Sequence, residues 1–239
     1  MGPSRWLASE VGPNAARVRE YTSGDTLNHI HWRSTAHTGK IMVKEFEADR
    51  FNYAANNIWI VLDAHQASQA GDGGNSTEEY GVAIAASLIR KSIDSGKQAG
   101  LIAVGDQPYL FLPQTEEPHL RSMLEVLALM KAAGEVPIEQ LVWREIERFG
   151  SNSVVIVVTP SASERLVAPL RQVKSRGAPV IVVSLDTASF GGTVSAAGAI
   201  SQLVSSGIPV YVVRRGEELA RVLDSQIFLP HLGYDGEVV

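Results

Sequence analysis

Short continuous apolar runs alternate along most of this chain with segments in which apolar residues recur every three or four positions. Residues 58–63 (Ile-Trp-Ile-Val-Leu-Asp) form the first such run, and an acid ends it. A strand buried on both faces reads this way. A Gly- and Asn-rich loop follows at 71–75, then Ser76-Thr-Glu-Glu79. That is a capping box: the Ser accepts from the third helical N–H and the Glu reaches back. The helix it opens is predicted to run to about Ser95, with Val82, Ala86, Ile89 and Ile93 on its buried face. Residues 100–105 read as a strand, Asp106-Gln-Pro as a turn and residues 109–112 as a returning strand. So short a connection dictates antiparallel pairing. Leu120, Leu124, Leu127 and Met130 mark the next helix, and Ile138, Leu141, Val142, Ile146 and Phe149 another.

The last third repeats itself. Residues 153–158 are a β-branched run, and Ser161-Ala-Ser-Glu164 is a second capping box. The helix after it contains Pro169, which predicts a kink or a short first segment. Gly177-Ala-Pro-Val-Ile-Val-Val183 and Gly207-Ile-Pro-Val-Tyr-Val-Val213 are near-copies. Each has Gly to end a helix, Pro where no N–H is needed and a strand behind it. Alternating helices and strands of this kind make a parallel sheet with crossover helices. The expected fold is therefore α/β: an open, mostly parallel sheet, helices on both faces, one antiparallel edge hairpin.

The front of the chain is different. Residues 1–18 read as a loop or extended arm. Ser23-Gly-Asp25 is a turn, His29-Ile-His-Trp32 alternates like a strand, and residues 40–47 read as a further strand. This divides the chain into a β-rich arm at 1–55 and an α/β domain at 56–239.

Composition narrows the chemistry. The chain has 239 residues, 45% hydrophobic and 20% charged, with net charge −5. That is ordinary globular composition with material for a sizeable core. Arg90-Lys91 and Arg214-Arg215 are the densest basic pairs, too sparse for a nucleic-acid surface. Without cysteine, disulfides, thiolate catalysis and thiolate zinc sites are excluded. No apolar run approaches the ~20 residues of a membrane helix. The opening Met-Gly-Pro-Ser has no signal-peptide pattern and reads as the trimmed edge of a longer protein.

Two resemblances follow. The order strand, helix, hairpin, two helices, then alternating strands and helices resembles the von Willebrand factor A-type domain. That family holds Mg²⁺ or Mn²⁺ with Asp-x-Ser-x-Ser after its first strand, a Thr in a later loop and often an Asp after the fourth strand. Here Asp63 matches, His65 and Ala67 stand at the two Ser positions, Gly134-Glu-Val-Pro137 replaces the Thr loop, and Thr159-Pro-Ser161 replaces the acid. Asp63, His65 and Thr159 are thus the remnants of a degenerate site, and Asp63 is expected to cap a backbone turn or the next helix.

Upstream, Arg19-x-Tyr21-x-x-Gly24-Asp25, Ile30-x-Trp32-x-x-Thr35-Ala36 and Met42-Val-Lys-Glu-Phe-Glu47, with Arg33 beside Trp32 as a further candidate, resemble the bacterial "domain of unknown function 58" family. The departures are Asn28 and His37, where the family carries Arg. The motif residues read either as architecture, with Tyr21 and Trp32 packing and Gly24-Asp25 turning, or as a recognition surface.

Enzyme signatures fail one by one. Gly71-Asp-Gly-Gly74 lacks the Lys-Ser/Thr of a phosphate loop, and no Gly-x-Ser-x-Gly elbow occurs. His29, His31 and His37 read as solvent-facing or packing side chains. No catalytic or cofactor-binding residue is nominated. The resemblance implies a non-catalytic interaction or scaffold module in the bacterial cytoplasm. It would act with a MoxR-type AAA+ ATPase, as the soluble part of a membrane-anchored protein. A metal-dependent Mg²⁺ or Mn²⁺ ligand-binding domain is the alternative, and a hydrolase with an unrecognised site the third.

Overall fold

The computed structural model describes residues 15–21, 30–46 and 55–217. The chain divides into two units, Met1–Asn52 and Tyr53–Val239.

The first unit pairs β1 (Ala15–Glu20) with β2 (Met42–Phe46), antiparallel, in a register that sets Arg19 opposite Val43 and Glu20 opposite Met42. The strand thus begins inside the segment read as a loop or extended arm, residues 1–18. Between the strands lies a helix, α1 (Trp32–Thr38), which overlaps at Trp32 the stretch His29–Trp32 whose alternation predicted a strand; Ile30 stands in a β-bridge and His29 lies outside the described residues. The reason is local. The His31 ring nitrogen Nδ1 accepts from the Ser34 N–H at 3.1 Å, as Ser or Asp does at a helix start. At the other end Gly39, at φ 68°, closes the helix with a bond from its N–H to Thr35 O. Two-residue alternation over four positions is too short to outweigh caps at both ends.

The second unit is built on one six-stranded sheet: β3 (Asn57–Leu62), β4 (Gln98–Val104), β5 (Pro108–Gln114), β6 (Ser153–Thr159), β7 (Val180–Leu185) and β8 (Val210–Val213). The order across the sheet is β5-β4-β3-β6-β7-β8, parallel except for β5. This is the doubly wound arrangement, in which the chain works outward from β3 in one direction and from β6 in the other. The α/β class, mostly parallel sheet and antiparallel edge strand expected from the sequence are all present.

Two apolar layers sandwich the sheet. On one side Ile58, Ile60 and Leu62 meet Ile84, Leu88 and Ile89 of α2 (Thr77–Asp94) and Leu120, Met123 and Leu127 of α3 (Glu117–Leu129). On the other, Trp59 and Val61 meet Ile138, Leu141 and Val142 of α4 (Ile138–Glu145) and Leu170 and Val173 of α5 (Val167–Ser175), with Leu203 of α6 (Ala197–Ser205). Trp59 stands edge-on to Phe149, ring centroids 5.8 Å apart. Each fully buried Leu, Ile or Phe contributes roughly 1.5–3 kcal/mol.

Two helix details differ from expectation. Ser76 accepts from the Glu79 N–H as predicted, but the face α2 turns to the sheet is centred on Ile84, Ala85, Leu88 and Ile89. Val82, Ala86 and Ile93 lie at its margin, half-buried. Small Gly81 and Ala85 count toward the stripe because Gly81 passes close to Leu62, where a Cβ would stand 3.2 Å from the Leu62 side chain. At the second capping box, the N-cap is Ser163 and not Ser161. It opens a short 3-10 turn at Glu164–Leu166, which runs into α5 and places Pro169 in the first helical turn, where no N–H partner is lost. The Gly-x-Pro repeats behave as read: Gly177 (φ 88°) and Gly207 (φ 66°) end α5 and α6, and β7 and β8 follow.

Candidate functional site

In a doubly wound sheet, the crevice forms at the carboxyl ends of the two strands from which the chain departs in opposite directions. Here those strands are β3 and β6, and at their ends stand Asp63, just past β3, and Thr159, the last residue of β6. The sheet itself brings two of the three predicted site residues together across 96 positions of sequence.

The Asp63 carboxyl is 5% exposed. Its Oδ2 accepts from the Thr159 hydroxyl at 2.5 Å. Its Oδ1 accepts from the His65 N–H at 3.0 Å and from the Ser68 hydroxyl at 3.2 Å. Asp63 therefore closes a backbone turn onto His65 and ties β3 to β6. Burial pushes its pKa up; the hydrogen bonds from Thr159, His65 N–H and Ser68 oppose that rise without cancelling it.

The loop behind it is fixed by further bonds. The Gln69 amide donates to Asp63 O and His65 O, and the Thr77 hydroxyl donates to Gln69 Oε1 at 2.8 Å. On the other side, His65 pairs with Gly134, through Gly134 N–H to Ala64 O and Gln66 N–H to Gly134 O. His65 is thus held by its backbone, with its ring half-exposed. Thr159 in turn accepts from the Ser161 N–H, and Ser161 Oγ from the Ser163 N–H.

Ser68 and Gln69 were not nominated from the sequence. Aligning Asp63 with an Asp-x-Ser-x-Ser pattern lands on Ala67, and the hydroxyl that reaches the carboxylate comes one residue later. The signal was a Ser five residues past an acid in a loop that turns through a 3-10 segment, Gln66–Ser68.

A hard divalent cation asks for several carboxylate or hydroxyl oxygens with free lone pairs. Asp63 already accepts three internal bonds. Among the described residues no group of three or more His, Cys, Asp or Glu side chains is placed to hold a metal ion. Asp63 is the one carboxylate in this bonded group, and its oxygens are engaged by internal donors.

The motif residues of the first unit fall in several places. Gly24, Asp25, Asn28 and His29 lie outside the described residues. Arg19 is in β1, and Tyr21 follows it, with its N–H bonded to Ile41 O at 2.8 Å. The Thr35 hydroxyl accepts from the Met42 N–H at 2.9 Å, and His31 N–H donates to Met42 O. Thr35 is thereby a tie between α1 and the start of β2. Trp32 and Arg33, by contrast, are exposed, Trp32 by 70% where packing was one expectation, and α1 buries none of its residues. His37 is exposed in the last turn of the same helix. Among the described residues no helix is long and apolar enough to cross a membrane.

The chain is similar to the uncharacterised protein YeaD of Bacillus subtilis (strain 168), with 28% identity over 132 residues. The match takes in 55% of this chain and 30% of that protein, so the chain spans less than a third of that relative's length. Among solved structures, the pilus adhesin SpaC from Lactobacillus rhamnosus GG is similar with a TM-score of 0.55 at 9% identity, over 73% of this chain and 30% of the adhesin. That is a likeness of fold alone. The conserved hypothetical protein BatB from Bacteroides thetaiotaomicron is similar with a TM-score of 0.49 at 14% identity, over 67% of this chain and 91% of BatB. The family described as "Protein of unknown function DUF58" matches residues 17–188, and this chain belongs to it.

Proposed function

We propose that this protein is a non-catalytic interaction module whose sheet unit is a von Willebrand factor A-type domain with a closed metal position, and that its partner is a MoxR-type AAA+ ATPase. The observation that carries the reading is the exposure of Trp32 beside Arg33. Trp32 belongs to the family motif and Arg33 follows it, and both stand on a short helix that buries nothing. A 70%-exposed Trp gains nothing for the fold and is the residue type that most often anchors a protein interface, with Arg next to it in rank. The Asp63 geometry supports the non-catalytic half. A carboxylate already taken by a backbone N–H and two hydroxyls is spent on holding β3 to β6.

The test is direct. The purified protein is titrated into the MoxR-type ATPase of the same organism and the Kd measured by calorimetry. Binding is expected, and Trp32→Ala weakens it by about thirtyfold or more, the effect of a hot-spot residue. Because the indole is exposed, the variant melts with the parent. No binding, or equal binding by the variant, overturns the reading. The filled donor set gives a second expectation. Mg²⁺, Mn²⁺ or Ca²⁺ at about millimolar concentration leaves the melting temperature unchanged, since an ion that binds only the folded state would raise it.

A further inference from the structure

At one edge of the sheet lies an apolar strand without charge. β5 is terminal in the order, so among the described residues alternate backbone N–H and C=O groups along it face no neighbour. Edge strands are ordinarily blunted with charged side chains, prolines or bulges, and of these β5 has a proline near each end and one register irregularity against β4. Here the nine residues from Gln107 to Thr115 carry no charge. Side chains alternate strictly. Tyr109 and Phe111 turn to the α2–α3 side, where Phe111 stands edge-on to His119, ring centroids 5.7 Å apart. Leu110 and Leu112 turn the other way, 46% and 50% exposed. Leu110 lies opposite Ile102, itself 2% exposed, so the apolar face continues inward from the edge. Pro108 and Pro113 lack an N–H. They confine pairing to Tyr109–Leu112, where either parity leaves two outward donors.

The ends of the strand are acidic. Asp106 precedes it, exposed, and is held in its charged form because Tyr109 donates to it and the Lys131 N–H does as well. Glu116 and Glu117 follow it, both exposed. Arg90 approaches Glu117 at 4.0 Å, a loose and exposed pair. The pattern is carboxylate, uncharged apolar strand, carboxylate.

That charge arrangement selects the occupant. Two copies of β5 paired antiparallel about Phe111 would set Asp106 of one against Glu116 of the other at both ends. Like charges placed opposite each other in a sheet are destabilising. We infer that β5 is a docking edge for an extended segment of a partner protein, one with aliphatic residues at alternate positions and a basic residue at each end, which adds a seventh strand to the sheet. Main-chain bonds supply the affinity and Leu110 and Leu112 the apolar contacts. This rests on the interaction reading but uses a different surface from Trp32. The two can therefore fail separately.

The probes are two fluorescein-labelled, amidated peptides of the full patterns Lys-Val-Thr-Val-Thr-Val-Lys and Glu-Val-Thr-Val-Thr-Val-Glu, titrated with the whole chain and followed by anisotropy. The basic peptide is expected to bind, with an affinity that falls as salt rises, and at least about tenfold tighter than the acidic one. Leu110→Lys, at an exposed position that leaves the core untouched, weakens the basic peptide by about tenfold or more and leaves the melting temperature within error. Trp32→Ala has no effect on it. The inference is overturned if the basic peptide does not bind, if both peptides bind alike, or if Leu110→Lys binds as the parent does. It is equally overturned if the chain sediments as a dimer that Leu110→Lys separates, because the occupant is then a second copy.

Discussion

Gly134→Ala is expected to cost the fold roughly 3–5 kcal/mol. The glycine passes under the ends of β3 and β4 so closely that an added Cβ would stand 2.0 Å from Val104 O and 3.0 Å from Ala64 O. Those obstacles are main-chain oxygens, and neither can swing aside as a side chain does. The segment carrying Gly134 has to back away. Doing so breaks its pairing with His65, in which Gly134 N–H reaches Ala64 O and Gln66 N–H reaches Gly134 O. Overpacking alone costs roughly 1–3 kcal/mol, and two backbone bonds add roughly 1 kcal/mol each. Gly150→Ala is the control, because nothing lies within 4 Å of its added Cβ. That variant is expected within about 0.5 kcal/mol of the parent. Urea unfolding followed by the fluorescence of buried Trp59 measures both. A Gly134→Ala midpoint equal to that of the control would mean the close approach does not constrain the loop.

Substitutions at Asp63 separate shape from charge. Asp63→Ala strips an acceptor from the His65 N–H and the Thr159 hydroxyl, both turned inward, and is expected to cost about 2–4 kcal/mol. The Ser68 hydroxyl keeps its bond to His65 O and suffers less. Asp63→Asn keeps an acceptor for His65 and offers its amide to the Thr159 oxygen, so at neutral pH it is expected within about 1 kcal/mol of the parent. The pH dependence has a definite sign. Burial raises the folded-state pKa of Asp63 above its ordinary 3.8, so the folded protein holds that proton more tightly than the unfolded chain does. The resulting stabilisation is complete below 3.8 and is lost as pH rises through the elevated folded pKa. Asp63→Asn has no such proton to lose. Its stability relative to the parent is expected to climb across that window and then level off. Urea midpoints of both proteins from acid to neutral pH provide the comparison, and a difference that stays flat or falls would reverse the assigned direction.

The features legible in the sequence were those whose physics is local. β3, β6 and β7 are apolar runs longer than any helical stripe would tolerate, and Gly177 and Gly207 sit where only a left-handed residue ends a helix. Helix α1 was missed because its cap is a histidine ring, a role the usual Ser, Thr and Asp signals do not announce. The stripe on α2 was rotated because Gly81 and Ala85 look neutral in a list of apolar residues yet are both buried, Gly81 close against Leu62. At the candidate site, Asp63 was legible as an acid ending a buried strand. Its partnership with Thr159 follows from the crossing of two strands far apart in sequence, and spacing alone does not encode it. Ser68 escaped because a rigid motif template was laid over a loop of different length.

The seam between β3 and β6 also bears on how the chain assembles. Its first end is held by Asn152, whose side-chain oxygen accepts from the Asn56 N–H and whose carbonyl accepts from the Asn57 N–H. Its other end is held by Thr159 on Asp63. On either side of the seam, neighbouring strands are linked by short crossovers or a tight turn, whereas the seam joins segments about ninety residues apart. Closing so long a loop is entropically costly and slow compared with local pairing. The half carrying β3, β4 and β5 leaves the ribosome first and can fold on α2 and α3 while the other half is still being made. Registration of the two halves is then expected to come late, with the polar bonds at both ends of the seam holding that register.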